Sequence, residues 1–174
     1  MWSSEVTNMI IAGIGETLYM TLVSTIAGYI IGLPMGIVLT VSDKDGIRPN
    51  SFIYKILDVI VNIVRSIPFI ILLVLLIPFT RFLVGKSYGS TATIVPLVVA
   101  AAPYIARMVE SSLKEVDAGV IEAARSMGAS DFDIVTKVLL VEARTSLLVG
   151  ATISLGTILG YSAMSGAVGG GGLG

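Results

Sequence analysis

The stretch TLYMTLVSTIAGYIIGLPMGIVLTVS, residues 17–42, decides the class of fold to which this chain belongs. It contains no charged residue in 26 consecutive positions. An α-helix needs about 20 apolar residues to cross the hydrocarbon core of a bilayer, and a longer helix can be accommodated by tilting. The stretch therefore predicts a transmembrane helix.

Three glycines at four-residue spacing lie inside this stretch. Gly28, Gly32 and Gly36 form two overlapping GxxxG motifs, which place the three glycines on one face of a helix. Such a face lets the backbone of another helix approach closely. We expect it to be a helix-packing surface. The alternative is that glycine is simply frequent in membrane helices.

The composition of the whole chain is that of a membrane protein. Of its 174 residues, 55% are hydrophobic and 13% are charged. A soluble domain carries about 25% charged residues, so this chain has about half the charge that a surface in water requires. The composition therefore predicts an integral membrane protein.

The same composition argues against several functions. The net charge of −1 argues against nucleic-acid binding, which calls for a basic face. The sequence has no cysteine and no histidine, which removes disulfides, thiolate metal sites and the commonest general base. We therefore expect no enzymatic activity and no bound metal or cofactor in this chain.

Charged residues divide the rest of the chain into three further candidate spans. These spans cover about residues 59–80, which contain Arg65, residues 87–106 and residues 145–164. Together with the first span they predict an all-α membrane protein, a polytopic bundle of four transmembrane helices that forms a single domain.

Basic residues are unevenly distributed between the two sides of this predicted bundle. Arg81 and Lys86 are the only two on the side of the N-terminus. Cytoplasmic loops carry the excess of Lys and Arg, so we expect the N-terminus outside, residues 107–144 in the cytoplasm and the glycine-rich residues 165–174 outside. Eight basic residues lie on the cytoplasmic side: Lys44, Arg48, Lys55, Arg107, Lys114, Arg125, Lys137 and Arg144.

Local signals within residues 107–144 describe two short helices joined by a turn. Asp117 can cap the first helix, and Gly128 suits the left-handed position just past its end. Ser130, followed by Asp133 three residues later, resembles a capping box that opens the second helix. The pattern predicts a helix–turn–helix on the cytoplasmic side.

The first of these helices has the features of a docking element. Ala123 and Ala124 are small enough to let another surface come close, and Met127 supplies apolar contact area beside them. The alternative is an ordinary solvent-exposed helix, in which Glu122 and Arg125 form an i,i+3 surface pair.

Polar residues within the predicted spans are candidates for a functional site. Arg65 is the only Lys or Arg well inside a span, and a charge in that position is a functional candidate. It could pair with Asp58, or it could snorkel to the cytoplasmic interface. Three further residues, at the end of the fourth span, could form a gate, or they could pack in the core. They are Tyr161, Ser162 and Met164.

The segment Glu122-Ala123-Ala124, followed by Gly128 and then by residues 138–140, resembles the EAA motif of ABC-importer permeases, E-A-A-x3-G-x9-I-x-L-P. Where that pattern ends in proline, this chain has Val141. The resemblance is closest to the permease subunits of methionine uptake transporters. It is carried over nearly the whole chain by residues 61–73, 101–110 and 160–174.

The resemblance implies a homodimeric permease in the bacterial inner membrane, with several partners. These are two cytoplasmic ABC ATPase subunits, which bind ATP and Mg, and an external substrate-binding lipoprotein. The residues around Glu122 would couple the permease to the ATPase. Relatives of this kind continue past residue 174 into a fifth span, so we expect this chain to be a fragment.

One other class of transporter stays open at this stage. A self-sufficient secondary transporter or channel for a small solute would have the same hydrophobic spans. It should carry acidic or histidine ion-coupling residues within those spans, and none is evident in the sequence.

Overall fold

The computed structural model describes residues 4–174, and these residues form a helical bundle without a β-strand, which confirms the all-α prediction. The first five helices are α1 (Ser4–Ser42), α2 (Ser51–Ser66), α3 (Phe69–Leu75), α4 (Ile77–Val84) and α5 (Ser90–Lys114). The remaining elements are α6 (Ala118–Ser126), α7 (Asp131–Asp133), a π-helical segment (Ile134–Leu139), α8 (Leu140–Glu142), α9 (Arg144–Ser165) and a short 3-10 helix (Gly166–Val168).

Three helices in the described part of the chain are long and apolar enough to cross a membrane. They are α1, α5 and α9 together with its 3-10 extension. A fourth crossing is possible only as the broken pair α2–α3, whose axes differ by 101°. The expected span over residues 59–80 is therefore not one straight helix but is divided among α2, α3 and α4.

Pro68 accounts for this break. A proline has no backbone N–H to donate, and it keeps the preceding residue out of the helical region. Ile67 accordingly has an extended backbone, with φ −83° and ψ 124°, and α3 starts directly after the proline.

The two longest helices, α1 and α5, pack through the predicted glycine face. A Cβ atom added to Gly28 would lie 3.0 Å from the Cβ of Ala101. A Cβ added to Gly32 would lie 2.6 Å from the carbonyl oxygen of Ala102, and one added to Gly36 would lie 2.6 Å from that of Ala106. Side chains of any size would push the two helices apart.

A continuous apolar core joins these helices to α9 and to the segment that follows α6. By contrast, large apolar side chains on the outer faces of α1 and α9 remain exposed, among them Ile26, Ile30 and Leu148. Such faces are suited to lipid or to further membrane helices. Core residues that are completely or almost completely buried include Met20, Leu97, Ile105, Leu113, Ile134, Leu139 and Ile158.

The glycine-rich residues 166–174 fold against the opposite end of the bundle from α6. The amide of Gly172 donates to the carboxylate of Glu16 at 2.7 Å, and the amide of Leu173 donates to the hydroxyl of Thr17 at 3.0 Å. The amide of Gly89 donates to the carbonyl of Gly169 at 2.8 Å. These contacts place the segment at the end where α5 begins.

Candidate functional site

Helix α6 begins and ends at the predicted residues. The carboxylate of Asp117 caps the helix by accepting a hydrogen bond from the amide of Gly119 at 2.8 Å. After the last turn, Gly128 has φ +83°, and its amide donates to the carbonyl of Arg125 at 2.9 Å. The prediction of a left-handed glycine at this turn is confirmed.

The second helix of the pair also starts where expected. The hydroxyl of Ser130 accepts a hydrogen bond from the amide of Asp133 at 3.2 Å and donates to its carboxylate at 2.5 Å. Lys137 lies 2.6 Å from the same carboxylate. Hydrogen bonding by Lys137, followed by that of Ser130, lowers the pKa of Asp133 to about 2. The capping prediction is confirmed, and the helix continues through a π-helical segment.

Two large exposed apolar side chains flank the turn between the two helices. Met127 is 82% exposed and Phe132 is 75% exposed. Glu122 and Ala123 are exposed on the same helix, α6. We call this exposed group, Glu122, Ala123, Met127 and Phe132, the coupling surface. Sequence reasoning missed Phe132, although an aromatic residue two positions after a helix cap in a polar interval was an available signal.

Ala124 does not belong to the coupling surface, contrary to expectation. Its side chain is only 5% exposed and packs into the core of the chain with Ile134 and Leu139. The reason is its position on α6: consecutive side chains point about 100° apart, and that of Ala124 is on the side that faces the core with Ile134 and Leu139, whereas Ala123 and Arg125 are exposed. The small size of Ala124 serves packing within the chain.

Arg125 contacts a different part of the chain from the one considered in the sequence. Its guanidinium donates to the carbonyl oxygen of Ile47, in the loop between α1 and α2, and lies 4.0 Å from Asp131. No ion pair with Glu122 occurs among residues 4–174. The i,i+3 surface pair, which was the alternative to a docking element, is therefore not formed, and α6 is joined to the α1–α2 loop.

An open cavity of about 430 Å³ lies between α6 and the α1–α2 loop. Its charged lining residues come from three separate segments of the chain. They are Asp43, Asp45, Lys114, Glu122 and Arg125.

A line of ion pairs lies beside this cavity and joins α5 to its neighbours. Glu110, which is 4% exposed, contacts Arg107 at 2.6 Å and Lys114 at 2.8 Å. Lys114 also lies 2.6 Å from Asp43, just after α1, and Arg107 forms an ion pair with Asp58 of α2. We call these five residues the ionic line.

Sequence reasoning missed the ionic line. Its only local signal was the i,i+3 and i,i+4 spacing of Arg107, Glu110 and Lys114 on one helix face. Asp43 and Asp58 join it through tertiary packing alone.

The ionic line excludes one of the two alternatives for Arg65, the ion pair with Asp58. Asp58, its candidate partner, is engaged by Arg107 instead, because α5 packs beside α2 whereas Arg65 lies two helical turns away along α2. Arg65 is exposed in the last turn of α2, where a positive charge suits the helix dipole. No ion pair to Arg65 is found among residues 4–174.

The three gate candidates at the end of α9 have different surroundings. The ring of Tyr161 stacks on Phe69 of α3, with ring centroids 4.6 Å apart and planes inclined by 9°. Ser162 is buried and donates to the carbonyl of Leu159 at 2.7 Å, whereas Met164 is partly exposed. Tyr161 thereby joins α9 to the segment that follows the break at Pro68.

A helical bundle with membrane-spanning helices and a pair of short, capped helices at one end fits an inner-membrane transport component. Residues 28–174 match the family "Binding-protein-dependent transport system inner membrane component", and the chain belongs to this family.

Curated relatives and solved structures support this membership. The chain is 57% identical, over 91% of its length and 73% of the relative's, to the "D-methionine transport system permease protein MetI" of Salmonella typhimurium, with the same figures for the Escherichia coli K12 protein. It is 44% identical, over 99% of its length and 77% of the relative's, to a probable D-methionine permease of Vibrio cholerae.

Among solved structures, the chain resembles one described as "Inward facing conformations of the MetNI methionine ABC transporter". The TM-score is 0.98 at 55% sequence identity, and the match covers 99% of this chain and 80% of the other. A second match, an amino acid ABC transporter structure with histidines, has a TM-score of 0.78 at 24% identity over 97% of this chain and 76% of that one, and it shows a shared fold.

Proposed function

We propose that this chain is the translocation subunit of an ATP-driven importer for methionine or a related amino acid. The observation that carries the proposal is the coupling surface, where Met127 and Phe132 stand exposed beside the Gly128 turn. Large apolar side chains in that position are suited to burial against a partner. The relatives described as methionine permeases support the choice of substrate.

The partners we propose are those that the resemblance implies. Two copies of this chain would assemble with two cytoplasmic ABC ATPase subunits, which bind ATP and Mg, and with an external substrate-binding lipoprotein. The match to a chain of a methionine ABC transporter described as MetNI supports this assembly. The chain itself would hold no cofactor and catalyse no reaction.

The orientation we propose places the N-terminus outside and α6 in the cytoplasm. The uneven distribution of basic residues supports this orientation. The contacts of residues 166–174 with Glu16 and Gly89 agree with it, because they place the glycine-rich end away from α6.

In the proposed mechanism, the ATPase moves α6, and the membrane helices follow as rigid bodies. Helix α5 ends at Lys114 and α6 begins at Ala118, so only three residues separate them. A displacement of α6 is therefore passed to α5, which is packed against α1 along the glycine face. Rocking of such packed helices switches the pathway between inward-facing and outward-facing states.

Reconstitution into proteoliposomes tests this function. We expect uptake of labelled methionine, measured separately for the L and D enantiomers, only when the partner ATPase, the binding lipoprotein and ATP are all supplied. A secondary transporter or channel would instead move the substrate without the ATPase, and uptake that is equal with and without ATPase would refute the proposal.

A further inference from the structure

The ionic line gives Glu110 a role that its position on α5 alone does not suggest. We propose that Glu110 is a positioning residue that makes α2, the α1–α2 loop and the end of α5 move as one body when the ATPase displaces α6. The inference rests on the proposed function and deepens it, because it names the contacts that carry motion beyond α5.

Burial and partners single out Glu110 within the line. Glu110 is 4% exposed, and its carboxylate is contacted by Arg107 and Lys114. It also accepts a hydrogen bond from the hydroxyl of Tyr54, which lies on α2, at 3.3 Å. A buried carboxylate is costly unless it is paired and hydrogen-bonded, and a buried ion pair is weak evidence for stability. A role in fixing the relative positions of helices explains its presence better.

One arm of the line reaches the α1–α2 loop. Lys114 bridges Glu110 and Asp43, at 2.8 Å and 2.6 Å respectively. The loop is folded tightly onto the end of α1, since a Cβ added to Gly46 would lie 2.5 Å from the carbonyl oxygen of Thr40. Because Arg125 of α6 donates to the carbonyl of Ile47 in the same loop, α6 and the ionic line hold this loop from two sides.

The other arm reaches α2 and, through it, the break in the bundle. Arg107 contacts both Asp58 and the side-chain oxygen of Asn62, the latter at 3.0 Å. Helix α2 continues through the 101° bend into α3, where Phe69 stacks on Tyr161 of α9. Motion at the cytoplasmic surface therefore has a route to α9 that does not depend on α5 alone.

The first test compares Glu110→Gln with a matched control, Lys137→Met. The glutamine keeps the shape of the side chain and removes its charge. Lys137→Met breaks an i,i+4 ion pair of the same kind, to Asp133, but the lysine side chain is 75% exposed and lies outside the ionic line. The readouts are ATPase co-purification and methionine transported per ATP hydrolysed in proteoliposomes.

We expect Glu110→Gln to retain ATPase binding and to lower the transport-to-hydrolysis ratio by at least about fivefold, the lower end of typical allosteric coupling. Lys137→Met should leave the ratio unchanged. A Glu110→Gln transporter with the wild-type ratio would overturn the inference. If that variant cannot be isolated, Asp58→Asn removes the ion pair with Arg107 in the α2 arm and leaves the Lys114 arm intact; a lowered ratio supports the inference and an unchanged ratio overturns it.

A distance measurement tests the one-body claim without relying on transport. The sequence has no native cysteine, so spin labels can be placed at Lys55→Cys on α2 and Glu115→Cys after α5, both exposed and both outside the ionic line. With Glu110 intact, the distance between the labels should be the same in nucleotide-free and ATP-bound complexes. With Glu110→Gln it should shift or broaden.

Failure of the one-body claim can be distinguished from failure of the proposed transport function. A distance that changes on ATP binding while Glu110 is intact would refute the one-body claim and leave the transport function standing. A wild-type chain that binds no ATPase would refute the proposed function, and this inference with it.

Discussion

Gly32 on α1 lies directly against Ile105 on α5: a Cβ atom added to Gly32 would be only 2.9 Å from the Cβ of Ile105. The same Cβ would be 2.6 Å from the carbonyl oxygen of Ala102. Backbone cannot give way as a flexible side chain can, so the contact between the two longest helices depends on the absence of a side chain at this position.

Gly32→Leu should therefore disrupt assembly while leaving membrane insertion intact, because leucine is fully compatible with lipid. We expect the free energy of unfolding to fall by about 1–3 kcal/mol, as it does when a packed core is overfilled. Gly15→Leu is the matched control, since no atom lies within 4 Å of a Cβ at that glycine. Size-exclusion chromatography and thermal unfolding in detergent report the result. Equal behaviour of the two variants would mean that the glycine face is not a tight contact.

Gly128→Val should impair the coupling of ATP hydrolysis to transport, and the cause should be backbone strain and not a steric clash. Gly128 has φ +83°, and nothing lies within 4 Å of an added Cβ. The left-handed conformation costs an ordinary residue about 1–2 kcal/mol. Valine should therefore change the direction of the second helix, and this change should weaken ATPase binding or uptake. Gly128→Asn, which tolerates this conformation, is the control. If valine and asparagine behave alike in uptake assays, the left-handed turn is not required.

Acidification should weaken the contact between α1 and α5 at Asp43. The hydrogen bond from Lys114 lowers the pKa of Asp43 below its ordinary value. A carboxylate whose pKa is lowered by folding contributes stability above its unfolded pKa of about 3.9, and this contribution is lost as the pH falls through the folded value. The difference in Tm between the wild type and Asp43→Asn should therefore be constant from neutral pH to about pH 5 and shrink below about pH 4.

Asp45→Asn is the control for this titration. Asp45 is largely exposed, and its nearest cation, Lys44, is 3.7 Å away and equally exposed, so its removal should change the Tm little at any pH. A difference for Asp43→Asn that grows on acidification would contradict the assigned ion pair.

The orientation of the chain can be tested with single cysteines. A cysteine at Ser87, in the loop before α5, should react with membrane-impermeant thiol reagents from the outside. One at Ser130, in the turn after Gly128, should react only from the cytoplasmic side. Since the sequence contains no cysteine of its own, the labelling is unambiguous, and the reversed pattern would refute the proposed topology.

Features set by neighbours in the sequence could be predicted, and features set by distant segments could not. The Asp117 cap and the left-handed Gly128 are local, so the sequence indicated both. Pro68 was visible in the sequence, but the 101° bend depends on where α3 packs. The burial of Ala124 likewise depends on a helix that follows in the chain.

The charges illustrate the same limit. Arg65 and Asp58 share one helix, which made their pairing plausible from the sequence. The structure pairs Asp58 with Arg107, 49 residues away, because α2 and α5 are neighbours in the bundle. The buried carboxylate of Glu110 could be recognised only once α1, α2 and α5 were in place.

Cross-linking in the assembled transporter shows most directly whether the coupling surface binds the ATPase. A thiol-specific photo-cross-linker at Met127→Cys is compared with one at Tyr88→Cys, another exposed position but at the opposite end of the bundle. We predict that the linker at Met127 captures the ATPase subunit and that the linker at Tyr88 does not. Capture of the ATPase from Tyr88 and not from Met127 would contradict the assignment of the coupling surface as the site that binds the ATPase.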